Sequence, residues 1–431
     1  MLRCRSRVMA RVLAILPILP ACALAQSIAA RALAPLAAYT AAAPAAVATT
    51  TADIAVARGE SLAAAGNCVS CHTRPGGAPF SGGVPFDTPY GTIYSTNITP
   101  DTGTGIGRWS AADLSKAMHD GLAPDGSRLF PAFPYTSFTK VTDADVDSIF
   151  AYLRTVPPAR YTPPRNGFFL NIRWPLAAWD GAFFKAGRFS PDASQSAQWN
   201  RGAYLVEGLG HCSACHTPRN WAMAEVPARN YAGGALQDEV VHGRNRRWSA
   251  VNLTSAKSGL AAWSVNDLTK YLQTGFSLRA GTFGPMNEVI ANSLRKLPVE
   301  DVRAMAVYIK SLPAQETTEA AVPAELVKAG ESIYKERCEK CHGASGRGGV
   351  FSGPPLAGSA VAQAEDPASL INIILYAPKA PPGVSLGAWE TMPAYDTVLD
   401  DAQIAAVSNY VRGSWGNRAG ALHADDITHQ R

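Results

Sequence analysis

Three short segments of this 431-residue chain carry the same reactive side chains: two cysteines separated by two residues and followed directly by a histidine. Two thiols one short turn apart can form thioethers with the two vinyl groups of one haem, and the next imidazole then faces the iron. The pattern therefore predicts three haem c groups. The predicted attachment cysteines and proximal iron ligands are Cys68, Cys71 and His72; Cys212, Cys215 and His216; and Cys338, Cys341 and His342.

A Cys-x-x-Cys pair by itself would also suit a redox-active dithiol or part of a zinc site. Here every pair is followed by histidine, and the two remaining cysteines, Cys4 and Cys22, both lie in the N-terminal segment. No cysteine is left over for a disulfide framework, so haem attachment is favoured over the dithiol and zinc interpretations.

The first 25 residues have the features of a secretory signal peptide. Four arginines precede an apolar run over residues 12–25, which contains two prolines and ends in a small-x-small cleavage site, Ala23-Leu24-Ala25. A membrane span needs ~20 apolar residues, so this shorter run favours export with cleavage over a membrane anchor. Lipid attachment at Cys22 is a weaker alternative, because residues 19–22 resemble a lipobox.

Charge and composition narrow the possible functions. The formal net charge is +5, and loss of the four signal-peptide arginines lowers it to +1. A nearly neutral mature chain lacks the basic footprint of nucleic-acid binding, so no nucleic-acid partner is expected. The chain is 47% hydrophobic and shows no strand-helix-strand rhythm, which favours several globular, helical domains.

A set of three helices is predicted around each motif, with apolar residues at helical spacing. One helix leads into the motif, a middle helix follows (109–121, 263–275 and a looser copy at 366–377), and a last helix closes the set. We predict a mainly α fold of three tandem cytochrome c-type domains with covalently attached haem. The predicted segments are signal peptide 1–25, flexible lead-in 26–52, module one 53–157, aromatic-rich connector 158–198, module two 199–313, linker 314–323, module three 324–416 and tail 417–431.

Aromatic residues recur with these helices. Tyr152, Tyr308 and Tyr410 occupy equivalent positions in the last helices and are expected to pack on the first helix rather than to act in catalysis. Phenylalanines and tryptophans also crowd residues 166–189 of the connector. We expect the connector aromatics to hold modules one and two together; a surface that docks a partner or the bilayer is the alternative.

Methionine is the common sixth ligand of a haem that only relays electrons, since its soft thioether stabilises ferrous iron. Such a residue should lie in the loop before the last helix, where modules two and three carry Met286 and Met392. We predict both as axial ligands. Met305 falls inside a helix and Met223 close behind a motif, so both are expected to serve packing.

Module one departs from this pattern, because Phe133 stands where the methionine is expected. A phenyl ring has no lone pair to donate, so this haem should have a weak or vacant sixth site, or a ligand from nearby. Met118 and His119 on the middle helix are the candidates. By register with Leu272 and Gln273 of module two, Met118 should face the core and His119 should be solvent-exposed.

The motifs resemble those of a known family: the three-haem cytochrome c subunits of bacterial membrane-associated alcohol, gluconate, fructose, sorbitol and aldehyde dehydrogenases. The resemblance covers about residues 55–420. Beyond the three haem motifs, it rests on residues 95–101 (STNITPD), 104–109 (TGIGRW), 210–220 (GHCSACHTPRN) and 414–417 (SWGN).

The resemblance implies a subunit that takes electrons from a separate dehydrogenase catalytic subunit carrying PQQ, flavin or molybdenum. It also implies delivery to ubiquinone or another periplasmic acceptor. No transmembrane helix is predicted after the last module, so association with the outer face of the cytoplasmic membrane is expected to be peripheral or through partners. The substrate is not identified. The sequence contains no glycine-rich dinucleotide fingerprint and no hydrolase constellation, so substrate chemistry is expected on the partner, and whether this chain is itself an enzyme stays open.

Two other functions stay open. The chain could be a cytochrome subunit of a terminal oxidase or another respiratory complex, which an uncleaved N-terminus or a lipidated Cys22 would favour. Alternatively, the methionine-free first haem could support peroxidase-like activity or bind a small molecule, which peroxide turnover by the isolated chain would reveal.

Overall fold

Three sets of helices repeat along the part of the chain that the computed structural model describes, which comprises residues 50–167, 171–241, 244–316 and 320–431. The predicted signal peptide, Cys4, Cys22 and the lead-in up to residue 49 lie outside the described residues. In each set a first helix leads directly into a haem motif and a last helix packs back against it. The prediction of a mainly helical chain is confirmed.

The first helix of module one begins at Thr51, two residues before the predicted boundary at 53. Thr50 and Asp53 form a capping box, in which each side chain accepts a hydrogen bond from the backbone N–H of the other residue. The last residues of the predicted flexible lead-in are therefore helical. The elements of this module are α1 (Thr51–Ala65), α2 (Cys68–His72), β1 (Pro85–Thr88), β2 (Gly91–Tyr94), α3 (Ala111–Asp120), α4 (Tyr135–Phe138) and α5 (Asp143–Leu153).

The connector contributes one helix, and module two repeats the pattern of module one. The first helix of module two ends in a π-helical segment, Leu205–Leu209, and short 3-10 helices form at Pro227–Arg229 and Leu294–Lys296. The remaining elements are α6 (Leu176–Phe183) in the connector and α7 (Ala197–Tyr204), α8 (Ser213–His216), β3 (Gly234–Val241), β4 (Arg244–Ala250), α9 (Val265–Thr274), α10 (Met286–Asn292) and α11 (Val299–Ser311) in module two.

Module three extends beyond its predicted end at residue 416. The segment 417–431, predicted as a tail, turns back and buries Leu422 and Ile427 against the module's own core, so it belongs to the module. The elements are α12 (Ala324–Arg337), α13 (Glu339–His342), α14 (Ala368–Tyr376), α15 (Asp401–Gly413) and α16 (Ala424–Thr428).

Two antiparallel hairpins were not predicted. In the first, Pro85 pairs with Tyr94 and Thr88 with Gly91. In the second, β3 pairs with β4 through an irregularity between Asp238 and Val240. Both hairpins follow a haem motif by fewer than 20 residues, in stretches where no strict apolar alternation marks a strand.

A glycine lies where the first and last helices of each module cross. A Cβ at any of these glycines would collide with a backbone carbonyl oxygen of the last helix, so glycine is needed for the close approach. The Cβ of a tyrosine on the last helix lies 2.8–2.9 Å from the position that this Cβ would take. This confirms that the three tyrosines pack on the first helices. The pairs are Gly59 and Tyr152, Gly202 and Tyr308, and Gly330 and Tyr410.

Modules one and two share one continuous apolar core. Leu62 and Ile149 from module one belong to the same buried cluster as Leu209 and Ile309 from module two. Module three builds separate clusters of its own, centred on Ile371 and other residues of α14, α15 and the C-terminal segment. The chain therefore consists of an intimately joined pair of modules and a third module with its own core.

Polar and apolar contacts join modules two and three. Ser249 and Ser369 exchange hydrogen bonds of 2.8 and 3.0 Å, and Arg247 pairs with Asp366 at 2.7 Å. An aromatic contact joins Phe276 and Trp389, whose ring centroids are 4.7 Å apart.

The connector packs on both of its neighbours. In α6, the Trp179 indole N–H donates to the Ala222 carbonyl of module two at 2.9 Å. Tyr135 of module one packs edge-on against Phe184, with ring centroids 5.0 Å apart, and its hydroxyl donates to the buried Asp180 carboxylate at 2.6 Å. The expectation that connector aromatics join modules one and two is confirmed for Trp179, which also packs edge-on against Tyr135 with ring centroids 6.4 Å apart.

Other aromatic side chains near the connector face outwards. Trp174 is 79% exposed, and Trp221 of module two is 85% exposed. Tyr90 reaches this region, since its hydroxyl donates to the Trp221 carbonyl at 2.7 Å. No helix in the described part of the chain combines the length and the apolar character that crossing a bilayer requires.

The helix crossing in module two can be tested with Gly202→Ala. The added Cβ would overlap the Ala304 carbonyl, so we expect the free energy of unfolding to fall by about 1–3 kcal/mol, as in other overpacked sites. Thermal and denaturant unfolding of the haem-loaded protein measure the change. The control is Gly181→Ala in α6, where nothing lies within 4 Å of the new Cβ and alanine should stabilise the helix by up to about 1 kcal/mol. Equal free energies of unfolding for the two variants would contradict the close helix crossing at Gly202.

Candidate haem-binding sites

Each predicted proximal histidine is oriented by the same hydrogen bond. The Nδ1 atoms of His72, His216 and His342 lie 2.6, 2.7 and 2.9 Å from backbone carbonyl oxygens. A carbonyl oxygen can only accept, so Nδ1 carries the proton and the Nε2 lone pair is available to a metal. Metal-ligating histidines are typically held this way, and the three sites fit a haem iron. The accepting carbonyls belong to Thr96, Val251 and Pro354.

Asparagines hold two of these carbonyl-bearing loops. Asn97 accepts from the backbone N–H of Thr99 at 2.9 Å, and its amide donates to the Ala159 carbonyl, beyond the last helix, at 2.7 Å. Asn252 repeats this arrangement with Thr254 at 2.9 Å and with the Gln315 carbonyl at 2.7 Å. Sequence reasoning missed both roles, although Asn-x-Thr recurs at 97–99 and 252–254.

Module three uses a different residue for the same purpose. The Asn417 amide donates to the Leu356 carbonyl at 2.9 Å and to the Val411 carbonyl at 2.7 Å. Its side-chain oxygen accepts from the Gly358 backbone at 2.8 Å. Asn417 thus joins the end of the last helix to the loop that follows Pro354.

Burial lowers the pKa of all three histidines, with the carbonyl hydrogen bond acting in the opposite direction. Burial disfavours the imidazolium ion, so the neutral ring is the form present at neutral pH. The neutral ring is also the form that ligates a metal.

Burial raises the pKa of the attachment thiols. The pKa rises to about 11 for Cys68 and Cys338 and to about 12 for Cys212. None of these three cysteines forms a disulfide. Before haem attachment they would therefore be protonated thiols at neutral pH, the species that would add across a haem vinyl group.

The two predicted methionine ligands lie ahead of the last helices. Met286 is the first residue of α10, a short helix where a loop was expected, and is partly buried against the core shared by modules one and two. Met392 lies in the irregular segment ahead of α15, partly buried against the core of module three. Their binding to iron stays a prediction. Met305 is buried within α11, which confirms that it serves packing.

Phe133 lies in the corresponding part of module one. It is partly buried, and its ring packs edge-on against Phe138 with centroids 5.3 Å apart. Met118 is buried in the same core, as its register predicted.

The expectation that His119 is solvent-exposed is wrong. Its side chain is 1% exposed, with Nδ1 3.0 Å from the Ser115 hydroxyl and 3.5 Å from the Asp143 carboxylate at the start of α5. Gln273 occupies the same register in module two, and its amide lies 3.3 Å from the Leu297 carbonyl, just ahead of α11. Both side chains thus face the turn before the last helix of their module. The alignment of the two middle helices shows that the positions are equivalent, but it cannot show that this turn covers them. His119 and Met118 as iron ligands stay predictions.

Comparison with known families identifies cytochrome c domains in two parts of the chain. A family profile described as "Cytochrome c" matches residues 56–157. A second, described as "Cytochrome C oxidase, cbb3-type, subunit III", matches residues 325–411. These matches coincide with the first and third helix sets.

Several characterised proteins resemble this chain over most of its length. Gluconate 2-dehydrogenase cytochrome c subunit of Pantoea cypripedii is 40% identical, over 87% of this chain and 89% of the relative. Alcohol dehydrogenase (quinone), cytochrome c subunit of Gluconacetobacter polyoxogenes is 38% identical, over 87% and 83%. A nicotinate dehydrogenase subunit of Pseudomonas putida is 42% identical over 82% of this chain, which spans only 30% of that longer relative.

Replacement of Phe133 by methionine tests the sixth site of module one. The native protein should show a high-spin or exchangeable ferric component in electron paramagnetic resonance or magnetic circular dichroism, and Phe133→Met should convert it to low spin by supplying a thioether. The apolar variant Phe133→Leu should keep the high-spin component. Three low-spin His/Met signals in the native protein would refute the expectation.

Proposed function

This chain belongs to the family of cytochrome c subunits of dehydrogenase complexes and carries electrons, and on that premise we propose that it relays them through three covalently attached haem c groups. The haems would occupy three tandem cytochrome c domains, which correspond to the three helix sets. The observation that carries the proposal is the hydrogen bond from His Nδ1 to a backbone carbonyl, repeated beside all three Cys-x-x-Cys-His segments.

Each side chain has a defined role in this proposal. The paired cysteines hold a haem through thioethers, and His72, His216 and His342 ligate iron through Nε2. Met286 and Met392 supply the sixth ligands in modules two and three. When bound, the haems supply reversible one-electron chemistry between ferrous and ferric iron. The residues around them exclude water and hold the imidazoles in one orientation, which limits rearrangement when the charge of the site changes.

The partner we propose is a separate dehydrogenase catalytic subunit, of the PQQ, flavin or molybdenum type, that oxidises the substrate. The relatives' names include gluconate, alcohol, fructose and nicotinate dehydrogenases, so the family is compatible with different substrates. The proposed acceptor is ubiquinone or another periplasmic carrier. The proposed location is the periplasm, in peripheral association with the outer face of the cytoplasmic membrane. The predicted N-terminal signal peptide supports this location, and the exposed Trp174 and Trp221 are compatible with it.

An oxidase subunit is the second candidate, because module three matches the profile of subunit III of cbb3-type oxidases. That profile covers residues 325–411, whereas the gluconate and alcohol dehydrogenase subunits match 87% of the chain. The longer match favours the dehydrogenase partner.

Purification from the native host decides between these partners. We expect an affinity-tagged chain, extracted from membranes in mild detergent, to retain a dehydrogenase catalytic subunit in fixed stoichiometry. Substrate of that subunit should then reduce the haems within the complex, as followed by their absorption. Co-purification with a terminal oxidase instead, or isolation of a chain that turns over peroxide alone, would overturn the proposal.

The methionine ligands can be tested separately by Met286→Leu and Met392→Leu. Each change should lower the midpoint potential of one haem without releasing it, because the thioethers and the proximal histidine remain. Met305→Leu is the matched control, since Met305 is buried in α11 and such a swap costs less than about 1.5 kcal/mol of stability. Redox titration should give native potentials for the control. Unchanged potentials in both ligand variants would contradict the assignment.

A further inference from the structure

The haem-attachment segments of modules one and two lie against each other across the shared core. The Asn292 amide, at the end of α10 in module two, donates to the Ser70 hydroxyl between Cys68 and Cys71 at 2.9 Å. The neighbouring Ser293 hydroxyl is 3.4 Å from the Ala65 carbonyl. Module two thus covers the attachment segment of module one with the C-terminal end of α10, the helix that begins at Met286.

The reciprocal contact involves a histidine that binds neither haem in the proposal. His211 directly precedes Cys212, and its ring packs edge-on against Phe138 of module one with centroids 5.5 Å apart. Phe138 packs in turn on Phe133, the residue at the methionine position of module one. A side chain within the second attachment segment is therefore linked, through two ring contacts, to the distal side of the first site.

Residues beside His211 also reach the first attachment segment. A Cβ at Gly66, two residues before Cys68, would lie 3.3 Å from the Cys68 sulfur and 3.6 Å from a methyl group of Leu209, which lies two residues before His211 in module two. The two attachment segments therefore meet at Gly66.

The corresponding residues of the other modules behave differently. Asn67 precedes Cys68 and, like His211, has a left-handed backbone, with φ of 49° against 36°. Arg337 precedes Cys338, and its guanidinium pairs with the adjacent Glu336 at 2.9 Å. The position itself therefore does not require histidine, and the identity of residue 211 is explained by its contacts with module one.

We propose that His211 is a positioning residue for electron transfer, which holds modules one and two together beside their attachment segments so that electrons pass between their haems across the contact of His211 with Phe138. The transfer moves one electron from ferrous iron at one site to ferric iron at the other, with no bond formed or broken and no proton moved at His211. This inference rests on the proposed function, because it requires a haem in both modules.

The test measures how fast an electron redistributes between haems one and two in the full haem-loaded chain. The electron is injected by pulse radiolysis into the oxidised protein, and the spectra of the two haems are followed. His211→Asn keeps a residue that tolerates the left-handed backbone, as Asn67 shows, but removes the ring. We expect a severalfold slower redistribution in this variant. The matched control Arg337→Asn changes the same position in module three and should leave the rate unchanged.

A conservative variant separates positioning from general destabilisation. His211→Phe restores an aromatic ring that can pack edge-on against Phe138, and Phe80, with φ of 63°, shows that phenylalanine adopts a left-handed backbone in this chain. His211→Phe should therefore recover most of the native rate. A native rate in His211→Asn would overturn the proposal, as would a phenylalanine variant as slow as the asparagine variant.

Haem content and spectra distinguish a failure of this inference from a failure of the proposed function. Pyridine haemochrome and intact-mass measurements should give three haems in the native protein and in all variants. If the native protein carried fewer haems, the proposed function would fail before His211 was tested. If all carried three and the His211→Asn rate were native, only the role of His211 would be overturned.

Discussion

The close crossing of the first and last helices, which needs glycine at 59, 202 and 330, determines where each Cys-x-x-Cys-His segment, the predicted haem-attachment segment, starts. The attachment segment follows within a few residues of the first helix, so the depth of the crossing also sets the position of the two thiols and the imidazole. The tyrosine beside each glycine fills the space that a Cβ would otherwise take. The same close approach of the first helix to the backbone of the last helix occurs in all three modules, and it thus determines the geometry of the three predicted haem sites.

Local hydrogen bonds then refine this geometry. The proximal histidines are oriented by carbonyls on irregular loops, which would be mobile without further support. Asn97, Asn252 and Asn417 supply that support by joining the loops to the chain beyond, or at the end of, the last helix. The orientation of the imidazole therefore depends on the same helix that forms the crossing, which explains how a loop can hold a ligand precisely.

The modules differ in how they associate. Modules one and two share one apolar core, and each covers the attachment segment of the other, so we expect them to move as one body. Module three contacts module two through polar groups and through a few apolar side chains, among them Phe276, Trp389 and Val384, while keeping its own core. Interfaces of that kind allow more relative motion than a shared core. In the proposed relay, haems one and two would form a rigid pair, and transfer to or from haem three would cross the more polar interface.

The sequence alone determined the three Cys-x-x-Cys-His motifs, with their predicted role in haem attachment, and the order of the helices, because motif spacing and helical periodicity are local properties of the chain. It also identified the three packing tyrosines through the repeat. The burial of His119, the two hairpins, the folding back of residues 417–431 and the shared core were decided by the tertiary structure. Each of these depends on residues distant in sequence meeting in space. His119 shows the reason most directly: register along α3 identifies its face of the helix, but only the packing of α5 decides that this face is covered.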